Sequence, residues 1–379
     1  MLLEPSSDQE FFQATSGRFL AELVPVAELR RLRDDPGGYD RSYWTRGAEL
    51  GWTSLLVGEE HGGGSISGHG LVDLTLVAHE FGTHAAPGPL TPTNIVAAAL
   101  SDVGAGAWDE LIGGILAGTS IATWCSAEPQ PNDRLGRVTL DVRADGDDVV
   151  LNGVKRPVES AADADHLLVT GRTGDGLTQV LVPRETAGVT LSPMTTVDLT
   201  RRFSTVTFDD VRVPASSVLG EVGGAGAQVE RQLQIALVLA CAESVGTMQK
   251  AFDMTVEWAF DRYSFGRPLA SYQALKHRFA DMKSWLEGAH AVSDEAAAAV
   301  AAGAPEAAEL ASAAKAFVGQ FGSELIHDCV QLHGGIGVTF EHDLHLYLRR
   351  HTVNTALYGT PAEHKQRITS LIEHGEAAA

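Results

Sequence analysis

The sequence predicts an α+β chain in three consecutive parts: a helical N-terminal domain (1–119), a middle antiparallel β domain (120–222) and a C-terminal four-helix bundle (223–379). Three observations carry that prediction. Apolar residues recur at helical spacing before residue 120, and again over much longer runs after Gly226. Between these lie short runs rich in Val, Leu and Thr, punctuated by Asp-Gly and Asn-Gly pairs. No helical stretch separates the short runs, which excludes a chain of βαβ units.

In the first part, Phe11, Phe12, Phe19 and Leu20 begin an amphipathic stripe that Leu23 to Leu32 extends and Pro36-Gly37-Gly38 stops. Glu49 to Trp52 reads as a short helix running into the loop Glu59-Glu60-His61-Gly62-Gly63-Gly64. Leu71 to Phe81 is helical and ends at Pro87-Gly88-Pro89; Ile95 to Leu100 and Trp108 to Leu116 are further short helices. Strands are expected over Ile121–Ala127, Arg137–Val142, Val149–Leu151, His166–Gly171, Leu177–Val182 and Arg202–Phe208. Asp145-Gly146, Asn152-Gly153, Gly174–Gly176 and Asp209-Asp210 supply the turns. The bundle reads as Val229–Asp261, Gln273–Ala302, Pro305–Leu332 and a closing helix from Pro361 to Glu373, with Trp258 and Trp285 in its core.

Size and charge bound the function. A chain of 379 residues with 44% apolar and 20% charged residues can bury a large core. Its 49 acidic against 28 basic residues, a formal charge of -21, repel nucleic acid and anionic lipid. An anionic ligand therefore needs locally placed positive groups. Cys125, Cys241 and Cys329 lie far apart, with no CxxC pair, so neither a disulfide framework nor a zinc site is supported. Met1 to Glu10 does not read as a signal peptide and no apolar run reaches the length of a membrane span, so a cytoplasmic location without membrane insertion is expected.

The most informative segment is Asp261 to Met282, which sets Arg262, Phe265, Gly266 and Gln273 at a junction between two helices. An arginine, an aromatic ring and an amide at one break can grip an anionic, aromatic, hydrogen-bonding group such as a nucleotide. A plain helix hairpin, capped by Gly266 and restarted by Pro268, fits the local spacing equally well. Glu243 is an isolated acid in the apolar run Leu233 to Val245; it reads either as a buried partner of an Arg or His, or as a base. Glu341-His342-Asp343-Leu344-His345 lacks a third ligand at zinc spacing, so no metal is assigned. Asp198 to Arg202 reads either as an arginine aimed at a phosphate or as a sheet-edge ion pair.

From end to end the chain resembles the acyl-CoA dehydrogenase family. The landmarks, in order, are Leu50-Gly51-Trp52 with Glu59 to Gly63; Ala127-Glu128-Pro129; Asn152-Gly153-Val154-Lys155; Thr207 to Pro214; Arg262 to Gln273; and Gln331 to Gly337, continuing through Glu341 to Arg350. The resemblance implies the acyl-CoA dehydrogenase fold, FAD as cofactor, an acyl-CoA substrate and electron-transfer flavoprotein as acceptor. It also implies a flavin shared between subunits. One chain holds the ring; its neighbour grips the adenine and pyrophosphate with residues matching Arg262, Phe265, Gln273, Gln331, Gly334 and Gly335 here, and Thr360 joins the cofactor set.

The ring-holding pattern departs from the family. Ala127 stands for a flavin-bonding Thr, Gln130 to Asp133 replaces a glycine-serine run, and Pro157-Val158-Glu159 replaces Trp-Ile-Thr. An ionised Glu159 beside a reduced flavin is expected to be repulsive. The usual catalytic Glu is Tyr358 here, a poor base at its ordinary pKa of about 10. The alternative base position falls on Ala236 or Leu237; Glu243 and, more weakly, Glu363 remain. Retained grip with altered ring and base positions resembles one subunit of the heteromeric α2β2 enzymes of actinobacterial type, in which a homologous partner supplies the carboxylate and the spare site is remodelled for bulky acyl groups such as steroid side chains. A homomeric enzyme with Glu243 as relocated base, and a flavin-free acyl-thioester-binding or structural subunit, are the alternatives.

Overall fold

The computed structural model describes residues 5–32, 38–104, 106–130 and 135–378. The stop expected at Pro36-Gly37 and the replaced run Pro131-Asn132-Asp133 lie outside the described residues.

Helix α1 (Ser7–Leu23) starts at a capping box: Ser6 Oγ accepts from Gln9 N at 3.3 Å, and Gln9 Oε1 accepts from Ser6 N at 2.9 Å. Its stripe does not run on unbroken to Leu32. Pro25 has no N–H to continue the ladder, so the chain restarts as α2 (Val26–Leu32). α3 (Arg41–Glu49), α4 (Gly70–Thr83), α5 (Leu90–Asp102) and α6 (Asp109–Leu116) complete this part. Leu90 to Ser101 are all buried, so α5 presents no polar face and its sequence shows no amphipathic period. Trp52 anchors the core, meeting Phe19 and Phe81 edge-on, while its Nε1 donates to Ser16 Oγ at 3.0 Å.

The β part comprises β1 (Ala122–Cys125), β2 (Asp141–Asp145), β3 (Asp148–Glu159), β4 (His166–Thr173), β5 (Gly176–Pro183), β6 (Val189–Met194), β7 (Phe203–Pro214) and β8 (Val218–Leu219). Its order is β6-β7-β3-β2-β4-β5-β8. The expected all-antiparallel sheet is corrected to a mixed one, because β1 runs parallel along β4 from Ala122↔His166 to Cys125↔Val169. Asn152-Gly153 is not a turn. The register of β3 on β7 shifts between Leu151 and Gly153, and Gly153 at φ 148 passes so close to Leu140 that a Cβ would sit 2.9 Å from its Cγ. β3 therefore runs on to Glu159 and delivers that side chain to the helices.

The C-terminal part contains α7 (Gly226–Asp261), a hairpin of β9 (Tyr263–Ser264) and β10 (Arg267–Pro268), then α8 (Gln273–Ala302), α9 (Ala307–His333), α10 (Leu344–Ala356) and α11 (Pro361–Ala378). α10 adds a helix to the four expected. By length and apolarity α7 could cross a bilayer, correcting the expectation that no run is long enough; 89% of that apolar window is buried inside the protein, as in a core helix. α4 packs on α7 backbone to backbone. A Cβ on Gly82 would lie 1.8 Å from Glu243 O, and one on Gly246 would lie 2.0 Å from His79 O. Trp258 and Trp285 are half-buried at the bundle surface rather than in its core; Trp258 stacks on His333 and Trp285 carries the Arg278 guanidinium.

Candidate active site and nucleotide-gripping face

The hairpin between α7 and α8 projects into solvent. Phe265 at its tip is 99% exposed and held at φ 51, a left-handed conformation that costs a non-glycine residue about 1–2 kcal/mol. Arg262, which caps α7, lies with its guanidinium 5.8 Å from the Trp258 ring, and no carboxylate among the described residues pairs with it. Gln273 is the first residue of α8, where unsatisfied N–H groups and the positive helix end favour an anion. Gln331 is exposed near the end of α9. Gly334 at φ 68 and Gly335 follow it, and a Cβ on either would meet nothing within 4 Å. Beneath that turn His333 Nδ1 donates to Cys329 O at 2.8 Å while its ring packs against Trp258 and His342. An aromatic tip, an unpaired arginine, an amide, a helix start and a glycine cradle fit the adenine and pyrophosphate of FAD, in a chain whose overall charge repels anions.

The side expected to hold a flavin ring differs. Ala127 O accepts from Arg156 N at 2.8 Å, and Pro157 follows Arg156 through a cis peptide bond. The landmark pair on these strands has a structural explanation that the sequence did not yield. Lys155 Nζ, fully buried, donates to Glu128 Oε1 at 2.8 Å and to Ser126 O at 3.0 Å. Glu128 also accepts from Thr139 N, Thr139 Oγ1 and Leu140 N, so it ties β3 to the segment leading into β2.

Tyr358, at the position expected for a base, has φ 58 and stacks on Trp124 with ring centroids 6.3 Å apart. Burial, and then the charge of Glu159, push its hydroxyl above the ordinary tyrosine value, so it keeps its proton at neutral pH. Thr360 caps α11: its N and Oγ1 donate to Glu363 Oε2 at 2.8 and 2.7 Å, and Glu363 N donates back to Thr360 Oγ1 at 3.4 Å. Glu363 is thus the acid of a capping box, which also explains its place three residues after Thr360.

Between these two regions lies a buried charge cluster. Arg201 Nε donates to Glu159 Oε1 at 2.7 Å, its Nη2 reaches Glu159 Oε2, and its Nη1 reaches Asn354 Oδ1 at 2.5 Å and Glu243 Oε2 at 3.5 Å. Arg350 Nη1 donates to Glu243 Oε1 at 2.5 Å and its Nε to Asp198 Oδ2 at 2.6 Å; its Nη2 bonds Ala85 O, Ala86 O and Thr200 Oγ1. Lys315 Nζ donates to Asn354 O. The cluster joins the α4–α5 turn, the end of β3, the loop before β7, and helices α7, α9 and α10.

Two expectations are corrected here. Glu159 does not stand unpaired beside a flavin, because Arg201 neutralises it; burial still raises its carboxyl above the usual range. Arg201 is not aimed at a phosphate, being 6% exposed and bonded to Glu159, and Arg350 beside it is fully buried. Burial would raise Asp198 too, but Arg350 and Arg201 outweigh it and hold that carboxyl below its ordinary range. Burial pushes the Lys315 ammonium down to about 8. Glu243 is a buried acid facing two arginines, as one of the two sequence readings had it. Phe81, Ala86, Gly88, Leu90, Glu159 and Arg201 bound what space remains, a cavity of about 10 Å³, room for one water at most.

Comparison with known proteins supplies the remaining observation. Sequence profiles described as acyl-CoA dehydrogenase N-terminal, middle and C-terminal domains match residues 6–108, 125–211 and 224–371. Acyl-CoA dehydrogenase IpdE2 of Mycolicibacterium smegmatis is 29% identical, over 97% of this chain and 99% of its own length. A solved structure of a Tcur3481–Tcur3483 steroid ACAD variant is 27% identical with a TM-score of 0.88, over 97% of this chain and 98% of that one. Butyryl-CoA dehydrogenase from Megasphaera elsdenii, at 22% identity and TM-score 0.87 over 98% of this chain and all of that one (100%), shares the fold.

Proposed function

Because this chain belongs to the acyl-CoA dehydrogenase family, we propose that it is one subunit of a heteromeric FAD-dependent enzyme that introduces an α,β double bond into an acyl-CoA thioester. In this reading Arg262, Phe265, Gln273, Gln331, Gly334 and Gly335, with Thr360 as a further contact, hold the nucleotide end of a flavin. The ring and the catalytic carboxylate belong to a homologous companion in an α2β2 assembly. FAD, when bound, supplies the hydride acceptor for the Cβ hydrogen. What this chain supplies is orientation: cationic and backbone N–H groups fix the diphosphate, and the protonated Tyr358 takes no proton from substrate.

One observation supports the reading: the gripping residues all face solvent, whereas the base position is a half-buried tyrosine beside a buried charge cluster. The likeness to a steroid acyl-CoA dehydrogenase named as a pair supports a heteromer and a bulky acyl group. We assign electron-transfer flavoprotein as acceptor on family grounds, and the cytoplasm as location because the three cysteines are free and buried. The homomeric alternative would use Glu243, whose two oxygens already face Arg350 and Arg201.

The test is flavin content. Purified alone, this chain is expected to hold little FAD; co-purified with its companion, the complex holds one FAD per pair, and Arg262→Glu lowers that occupancy at least about tenfold, the loss of one charge-assisted contact plus repulsion. Full occupancy and turnover by this chain alone would refute the proposal.

A further inference from the structure

One face of α10 is left unfilled. His345, Leu348, Arg349 and Thr352 recur at i, i+3, i+4 and i+7, opposite the face that carries Arg350 and Asn354 into the buried cluster. With Val197 from the loop before β7 and Val338 from the turn after α9, they line a cavity of about 260 Å³. We propose that this cavity binds a small apolar monocarboxylate, its carboxylate on Arg349 and His345 and its hydrocarbon body against Val197, Val338 and Leu348. The site uses none of the residues assigned to the flavin and does not depend on the subunit reading.

The polar groups have bonding capacity to spare. His345 is 4% exposed, yet neither of its ring nitrogens has a partner. Burial, and then the charges of Arg349 and Arg30, hold its imidazole below the ordinary histidine value, so at neutral pH it offers one N–H and one lone pair. Arg349 donates from Nη1 to Val197 O at 3.0 Å, its Nε is buried without a partner, and no carboxylate among the described residues pairs with it. Asp343, the nearest acid along the chain, is held by Arg30 at 2.5 Å. Two unused donors beside an uncompensated positive charge suit a carboxylate, which accepts from both and satisfies groups that are otherwise orphaned.

The walls define the rest of the ligand. Val197, Val338 and Phe340 are 48%, 65% and 52% exposed, an apolar rim that an inorganic anion would leave wet. Phe340 meets His345 edge-on at 4.8 Å and lies 5.2 Å from the Arg349 guanidinium, so it holds both polar side chains at the cavity edge. The cavity, about 260 Å³, falls just below the roughly 300–1,000 Å³ of sites that take drug-sized ligands. That size admits a medium-chain or single-ring acid and excludes a nucleotide or a whole CoA thioester. A concave site with its polar groups gathered on one wall has the form of a small-molecule pocket rather than of a flat protein contact.

Octanoate is titrated calorimetrically into the full chain and, separately, into its complex with the companion, with octan-1-ol as the uncharged control. Saturable one-to-one binding to both is expected, with a Kd below about 1 mM. Octan-1-ol should bind at least about tenfold more weakly, because it forgoes the charge-assisted bonds. Arg349→Gln should weaken octanoate about tenfold and leave octan-1-ol unchanged. Val338→Asp, at a position too exposed to disturb folding, sets a negative charge at the mouth and should abolish octanoate binding. Absence of saturable binding, octan-1-ol binding as tightly as octanoate, or binding that neither substitution weakens would overturn the proposal. Binding to the chain alone that disappears on assembly means that the companion fills the cavity, which overturns it equally. Displacement of octanoate by excess ADP would make the cavity part of the nucleotide face and refute a separate site; an unchanged titration in ADP supports one.

Discussion

Lys155 and Glu128 offer a quantitative check on how the β part is held. Lys155→Met keeps the length of the side chain but leaves the Glu128 carboxylate to Thr139 N, Thr139 Oγ1 and Leu140 N, at 2.9, 2.5 and 2.9 Å. Breaking a buried pair costs about 3–5 kcal/mol, and three remaining donors place this variant at about 3. Glu128→Ala is worse. It leaves the Lys155 ammonium with Ser126 O alone and removes the acceptor for two backbone N–H groups, each worth about 1–3 kcal/mol when orphaned, for a loss of about 5 kcal/mol or more. Urea unfolding at neutral pH, followed by tryptophan fluorescence, measures both, and Lys155→Met with Glu128→Gln should fall short of additivity by about 1–3 kcal/mol. The pH dependence has a fixed sign. Although burial alone would raise it, Lys155 and the hydrogen bonds hold the Glu128 carboxyl below its ordinary value. Its contribution is therefore present above the ordinary carboxylate range and is lost as pH falls through the lowered folded value, so the gap between wild type and Lys155→Met narrows in acid. A loss below about 1 kcal/mol for Lys155→Met, or strict additivity, would refute the assignment.

Gly82→Ala should destabilise by about 2–3 kcal/mol despite the better helix propensity of alanine: the new methyl would meet Glu243 O at 1.8 Å, and a backbone oxygen cannot rotate away. Thermal unfolding reads the loss; an unchanged Tm would mean that α4 and α7 do not pack this closely. Because the Lys315 ammonium is pushed down to about 8, the unfolded chain binds more protons between pH 8 and the ordinary lysine value. The stability of wild type relative to Lys315→Met should accordingly rise over that window, by up to about 3 kcal/mol; a flat difference would contradict it. Phe265→Gly relieves a left-handed backbone and gives up no buried surface, so unfolding should shift by less than about 0.5 kcal/mol. FAD affinity of the complex should nevertheless drop about three- to tenfold with the aromatic contact gone.

Much of the architecture was legible because its signals are local. Helices α7, α8 and α9 announce themselves through long apolar periods, and β4 and β5 through short Val- and Leu-rich runs between turns. What escaped the sequence depends on contacts between distant segments. From sequence β3 reads as ending at Leu151 because Asn152-Gly153 has turn chemistry, and only the close approach of Leu140 makes it a bulge inside one longer strand. α5 reads only over Ile95 to Leu100, about half its length, because a helix buried on all sides has no period to mark its ends. The parallel pairing of β1 on β4 leaves no trace in either strand's own residues. At the site, Glu243 was noticed as an acid in an apolar run, yet its partners Arg201 and Arg350 lie 42 and 107 residues away. Arg201 by itself reads as aimed at a phosphate or paired at a sheet edge. One signal was available: two unpaired basic residues, Arg201 and Arg350, beside apolar runs, with two isolated acids, Glu159 and Glu243, elsewhere, is a set that can be satisfied only by mutual burial.

The buried cluster and the exposed hairpin are separate regions of one long helix. Glu243 lies near the middle of α7 and Arg262 caps its end, nineteen residues on, so at 1.5 Å per residue they stand about 28 Å apart. No side chain spans that distance, and substitutions at the cluster do not disturb the hairpin directly. The middle of α7 is instead locked: Gly82 against Glu243 O, and Arg350 against its carboxylate, fix that turn to α4 and α10. The paired charges Asp198, Glu159, Glu243, Arg201 and Arg350 thus join three parts of the fold at the middle of α7, so loss of one partner is expected to loosen that joint while leaving the hairpin's own contacts in place.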